Sequence, residues 1–307
     1  MTTPSGEPRI RTVTGSVPVT AISGPVLAHE HLRVDLRWPV TRPSNPRRFL
    51  DEELHVAAEL NGLRKDHGLG LVVELTCMGM GRDASSLSRL SAGSRVAVVA
   101  ATGFFCDPFH PAFTADLSVD RLAERLLAEI GFGLDGTSAL PGVIGEIGSW
   151  GEAPSPVEER TLRAAALAAV ESDLPVATCG RPGLAQLEIL TAAGLDPSRI
   201  AVGQQDPLED PAAHRKIAEA GAYVSFGMLG RRPGGLRPAL ELIEAGYADR
   251  LLLSSGVSRM EHLAHYGGTG YGHLFGAFLP ALREAGVDED TITLMTHDNV
   301  LRWLAGS

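Results

Sequence analysis

Eight apolar runs, at 26–31, 71–77, 96–102, 143–148, 175–179, 200–204, 222–226 and 250–255, constrain the fold of this chain more than any other feature. Each is nearly continuous in Val, Ile, Leu and Ala, the composition of parallel strands covered on both faces. Between them lie helical candidates at 51–66, 85–90, 119–134, 156–172, 183–193, 211–220, 236–245 and 272–285. Pro156 follows Ser155 at one predicted helix start, and Gly194, Gly221, Gly246 and Gly286 each follow a helical stretch where a left-handed cap is expected. Eight strand–helix alternations favour an α/β (β/α)8 TIM barrel over a doubly wound sheet. The expected layout is one domain over 1–307, with a short N-terminal lead to about residue 24 and a C-terminal helix closing the barrel.

Composition narrows the partners. A formal net charge of −10 disfavours nucleic acid and anionic membranes, which reward clustered Lys and Arg, and points to a small-molecule substrate. No apolar stretch approaches the ~20 residues of a membrane span. No secretory h-region is legible in residues 1–11, so a cytoplasmic location is expected. Three cysteines, Cys77, Cys106 and Cys179, with no Cys-x-x-Cys pair, argue against a disulfide framework or a structural zinc knuckle.

His29 and His31 flank Glu30 at the end of the first run. On a strand, that spacing turns both imidazoles to one face and Glu30 to the other, which makes half of a transition-metal site. Barrel sites assemble at the C-terminal strand ends, where His31, Cys77, Glu146, Cys179 and Gln204 all fall. Taken singly, each has an ordinary structural use: a His satisfied by a carbonyl, a Cys as a small hydrophobe, a Gln capping a loop. Glu146 sits in the apolar segment Gly142-Val143-Ile144-Gly145-Glu146-Ile147-Gly148 and needs a cation. A metal shared with His29 and His31 supplies one; an ion pair with Arg82 is the alternative.

Several ordered motifs carry a resemblance. They are Ala28-His29-Glu30-His31-Leu32, Glu74-Leu75-Thr76 followed by Gly79-Met80-Gly81-Arg82-Asp83, Ala100-Ala101-Thr102-Gly103-Phe104, Gly145-Glu146-Ile147-Gly148, Gly267-Gly268-Thr269-Gly270-Tyr271 and Asn299-Val300-Leu301-Arg302-Trp303-Leu304. Along nearly its whole length the chain resembles the phosphotriesterase-like family of the amidohydrolase superfamily. The resemblance implies a barrel hydrolase that activates water with one or two zinc-like ions to cleave an ester, lactone or phosphoester. It makes His29 and His31 ligands, puts Glu146 where many relatives carry a bridging carboxylated lysine, and suggests a homodimer.

Three expected ligand positions depart from the family pattern. Cys179 stands where the fifth strand should end in His, Gln204 where the sixth should, and Gly256 where the eighth should end in a proton-moving Asp; Asp206 matches a common family position. The implied site is therefore altered and mononuclear: His29, His31 and Glu146, with Cys179 as a fourth ligand, hold one divalent ion, best zinc, or no ion is tightly bound. In a hydrolase of this kind Asp206 or Glu146 acts as base. Two alternatives stay open. One is a metal-free biosynthetic enzyme using imidazole acid–base chemistry with Cys179 as nucleophile; the other is a non-catalytic ligand-binding relative. For substrate contacts, Gln204 can meet a carbonyl, and Arg231 and Arg232, in the loop 227–235, either bind a carboxylate or phosphate or are solvated on a surface loop. Phe105, Trp150 and Tyr271, with Phe104 and Phe109, line an apolar cleft or pack the barrel rim. His262, His265 and His273 are outside candidates for replacement ligands.

Overall fold

The structure, a computed structural model, describes residues 7–37, 49–206, 210–231 and 234–306. Arg232 lies outside them. Eight parallel strands run in sequence order: β1 (Val26–Glu30), β2 (Leu71–Glu74), β3 (Ala97–Thr102), β4 (Val143–Ser149), β5 (Val176–Gly180), β6 (Ile200–Val202), β7 (Tyr223–Phe226) and β8 (Leu251–Leu253). Each is followed by a helix: α1 (Glu53–His67), α2 (Ala84–Ser94), α3 (Val119–Phe132), α4 (Pro156–Ser172), α5 (Gly183–Ala192), α6 (Pro211–Glu219), α7 (Leu236–Glu244) and α8 (Leu279–Glu284). Two more helices, α9 (Glu289–Thr293) and α10 (Asn299–Ala305), complete the chain. This is the (β/α)8 barrel that the alternation of runs predicts.

Local chemistry explains the boundaries. Ser155 and Glu158 exchange side-chain and backbone hydrogen bonds in a capping box at the start of α4, with Pro156 in its first turn. Gly194, Gly221, Gly246 and Gly286 take φ of +95°, +91°, +86° and +92°, the left-handed turn-outs expected of them. Three strands end two or three residues short of their apolar runs: β2 stops at Glu74, β6 at Val202 and β8 at Leu253. The remaining residues, Thr76, Gln204, Ser254 and Ser255, leave the ladder to make side-chain bonds at the barrel mouth.

Alternate strand positions feed two apolar layers. Leu27, Val72, Val98 and Val224 belong with the helix residues Val56, Leu60, Leu87 and Leu126. Val73, Val99, Val143, Ala201 and Leu252 belong with Ile10 of the N-terminal hairpin (Arg9–Thr12 paired with Gly15–Pro18) and with Trp303 of α10. The hairpin and α10 cover the N-terminal end of the barrel: Val13 N–H donates to Val98 at 2.9 Å, Asn299 Nδ2 to Leu251 at 2.8 Å and Arg199 Nη1 to Trp303 at 3.0 Å. The opposite end is thereby left for chemistry.

Between β8 and β1 the barrel is joined through the Glu30 side chain and a backbone bond. The Glu30 carboxylate accepts from Ser254 Oγ (2.7 Å) and from the backbone N–H groups of Ser255 (2.8 Å), Gly256 (2.9 Å) and Val257 (2.7 Å). His31 N–H donates to Val257 O at 3.1 Å. Burial pushes the Glu30 carboxyl up, and these donors oppose the shift.

Candidate metal centre and active site

β1 places His29 and His31 on one side and Glu30 on the other, as the two-residue period requires. His29 Nε2 lies 3.1 Å from Glu146 Oε2, and His31 Nε2 lies 3.4 Å from Glu146 Oε1. The rings are edge to face, with centroids 5.6 Å apart. All three side chains are buried, and one ligand atom from each falls within 4.8 Å of the others. Burial opposes ionisation of Glu146, yet His29 and His31 together outweigh it and hold the carboxyl well below the usual range. Burial lowers the pKa of His31, which favours the neutral ring that can ligate. His29 Nε2 has no hydrogen-bond partner despite its nearness to Glu146. A buried nitrogen aimed at an ionised carboxylate, beside a second imidazole, fits a divalent cation among the three.

The surroundings hold these groups in place. His31 Nδ1 is 3.0 Å from Thr76 Oγ1, and the Thr76 hydroxyl donates to the buried Glu74 carboxylate, which also accepts from Leu32 N–H (3.3 Å) and Thr76 N–H (3.2 Å). With the Thr76 proton given to Glu74, Thr76 Oγ1 accepts from His31 Nδ1–H and the Nε2 lone pair faces Glu146. Burial pushes Glu74 up to about 8, against the pull of its Thr76 and Leu32 donors and of Arg82. Tyr271, fully buried, donates its hydroxyl to the main-chain oxygen of His31 at 2.8 Å. It braces the ligand strand from behind; its hydroxyl does not line the cleft as expected. Gly227 packs on the His29 ring so closely that a Cβ there would lie 2.8 Å from its Cγ.

Gln204 adopts φ +56°, and its Nε2 donates to Glu146 Oε2 at 3.1 Å. Its amide is committed to orienting the carboxylate. Cys179 is not brought to the three ligand atoms. It pairs in register with Gly148, its free thiol is hydrogen-bonded to that of Cys106, and burial pushes its pKa far up, away from a thiolate ligand or nucleophile. Arg82 is also absent from Glu146: it bridges Glu129 (2.6 Å) and Asp135 (2.7 Å). Phe105, Phe109 and Trp150 form an aromatic cluster after β3 and β4, with centroids 5.5–6.3 Å apart and Trp150 41% exposed.

Asp206 and Arg231 complete the mouth. Asp206 is buried, its Oδ1 has no hydrogen-bond partner, and burial lifts its pKa to about 6 against the pull of Arg231 and His29. The charged neighbours of Arg231 include Glu146, Glu30 and Asp206. Of the three outlying histidines, His262 has His31 and Arg231 within electrostatic reach. His265 stacks on His55 at 3.6 Å, and the Cβ of His273 lies beside Gly230.

The model of the phosphotriesterase family matches residues 8–304. The chain belongs to that family. It is 35% identical over 285 residues to the Escherichia coli protein named phosphotriesterase homology protein, covering 90% of this chain and 96% of the relative. The crystal structure of that relative, complexed with phosphate in its active site, superposes with a TM-score of 0.88 at 33% identity, over 92% of this chain and 99% of that one. A resiniferatoxin-binding protein from Rhodobacter sphaeroides gives a TM-score of 0.90 at 30% identity, over 97% and 95% of the two chains. The N-acetyltaurine hydrolase of Salmo salar is 30% identical over 277 residues, covering 83% of this chain and 78% of the relative. This family member is thus hydrolase-like in kind, and among its described residues no helix is long and apolar enough to cross a membrane.

Sequence reasoning named Glu30, Glu74 and Thr76 but gave them no role in the site. For Glu30 and Glu74 the signal was the same as for Glu146, a carboxylate in an apolar run.

Proposed function

We propose that this chain is a metal-assisted hydrolase of a small ester, lactone, amide or phosphoester, with one divalent ion, best zinc, held by His29, His31 and Glu146. The observation that carries this reading is the convergence of three buried ligand atoms within 4.8 Å, one of them an imidazole nitrogen without a hydrogen bond. When bound, such an ion supplies Lewis acidity toward a carbonyl or phosphoryl oxygen and toward water. Glu146, ionised far below neutrality and shared by two imidazoles and Gln204, is a ligand and a poor base. Asp206 suits the base. With a pKa of about 6 it is ionised at pH 7, is more basic than an ordinary carboxylate, and keeps Oδ1 free to take the proton of an attacking water. Gln204 fixes the Glu146 carboxylate, and the Thr76–Glu74 pair fixes the His31 tautomer.

The test is elemental analysis of chelator-free protein together with a screen of lactones, aryl esters, N-acyl amino acids and phosphoesters under added zinc, manganese or cobalt. Near-stoichiometric metal that falls away in His29→Ala, with turnover lost in Asp206→Asn, is the expected result. No retained metal and no turnover with any ion would overturn the reading.

A further inference from the structure

The chain carries a net charge of −10, and its barrel mouth adds the carboxylates of Glu30, Glu146 and Asp206. Against that background Arg231 sets a guanidinium among these carboxylates, with Arg259 also within its electrostatic reach. Its neighbouring carboxylates are engaged elsewhere: Glu30 by four donors at the barrel seam, and Glu146 by His29, His31 and Gln204. Arg231 Nε donates to Gly256 O, which holds the guanidinium against the end of β8. Its Nη2 is buried and has no hydrogen-bond partner. Burying a guanidinium nitrogen unpaired is expensive unless a ligand completes it.

His262 brings a second donor within electrostatic reach of the guanidinium. His262 Nδ1 accepts the backbone N–H of Ser258 at 3.2 Å, so the proton of the neutral ring sits on Nε2. Burial and the nearby charges of Arg231, Arg259 and His31 depress His262 to about 4, which keeps the ring neutral across the physiological range. The mouth therefore offers guanidinium N–H and imidazole N–H next to the His29/His31/Glu146 centre. Asp206, four residues past the end of β6, is within electrostatic reach of Arg231, and its Oδ1, like Arg231 Nη2, has no hydrogen-bond partner.

We propose that Arg231, assisted by His262 Nε2–H, is an oxyanion-binding subsite that recognises a carboxylate, sulfonate or phosphate group carried by the substrate beside its scissile bond. The proposal rests on the hydrolase reading for the bond that is cleaved, but not for the binding of the anion. Arg is the side chain suited to such a group, because its planar fork of N–H donors matches the oxygens of the anion. Among substrates of the proposed class, those with a free anionic end are selected over neutral ones.

Inorganic phosphate is the probe. Calorimetric titration of the folded protein, with and without zinc, compares wild type with Arg231→Met, Arg231→Lys and His262→Gln, and thermal melts confirm that each variant folds. The expected result is a Kd at least tenfold weaker in Arg231→Met, partly restored in Arg231→Lys, and weakened several-fold in His262→Gln. An unchanged phosphate affinity in Arg231→Met overturns the subsite, as does binding that depends on zinc alone. A kinetic arm uses matched acyl substrates with an anionic or a neutral terminus. Arg231→Met should raise KM for the anionic member at least tenfold more than for the neutral one; equal losses on both would overturn the selectivity. Carboxylate, sulfonate and phosphate termini in turn show which oxyanion is preferred. Should no substrate turn over, the hydrolase reading fails while the phosphate titration still reports on Arg231.

Discussion

Asp206 joins activity and stability in one residue. Its folded pKa of about 6 lies above the ordinary 3.8, so the folded protein disfavours the charged form. The neutral side chain stabilises the fold below about pH 4, and that contribution is lost as the pH rises through 6. Asp206→Asn is accordingly expected to be more stable than wild type at pH 8, by on the order of 1–3 kcal/mol, with the gap shrinking at pH 5. Urea denaturation at the two pH values checks it. The same variant should lose roughly 10²–10⁴-fold in kcat, and the wild-type rate should rise with pH along a limb near 6. A pH-independent rate between 5 and 8 would remove Asp206 from the base role. Thr76 acts one bond further out. Thr76→Val keeps the shape but removes the hydroxyl between His31 and Glu74, and zinc affinity measured by chelator competition should fall about 10–100-fold.

At the scale of elements, the meeting of β8 with β1 depends on Glu30. Four donors converge on its two oxygens, three of them backbone N–H groups from 255–257. Glu30→Gln turns one oxygen into an amide that cannot accept, so at least one buried N–H loses its partner. A loss of about 2–4 kcal/mol is expected from chemical denaturation. Because His31 N–H also bonds to Val257, metal retention should weaken along with stability. Gly227 serves the neighbouring strand differently. Gly227→Ala drives a methyl into the His29 ring, and the expected outcome is reduced metal content in a folded protein, read by elemental analysis and circular dichroism.

Over the whole molecule, stability and chemistry lie at opposite ends of the barrel. Trp303 is buried at the N-terminal end, against the hairpin and the strand starts. Trp303→Ala should cost about 3–5 kcal/mol in denaturation experiments and leave zinc stoichiometry unchanged. A cleft of about 410 Å³ lined by Gly24, Pro25, His67, Phe275, Arg283 and His297 also lies at that end, remote from the catalytic groups.

Much of this was legible in one dimension. The barrel was readable because parallel strands buried on both faces need continuous apolar runs, and helices between them need caps and turn-outs that leave Ser, Pro and Gly at fixed places. His29 and His31 were readable because a two-residue spacing on a strand has one geometric outcome, and Glu146 because a carboxylate in an apolar run demands a partner. What the tertiary structure decided is which groups share that partner. Cys179 and Gln204 stand at strand ends alike, yet the thiol turns to Cys106 while the amide reaches Glu146. Tyr271 turns its hydroxyl to the His31 backbone, and Arg231 reaches back to Gly256 from the next loop. These outcomes depend on loop paths and side-chain directions across the mouth, distances that strand periodicity does not encode.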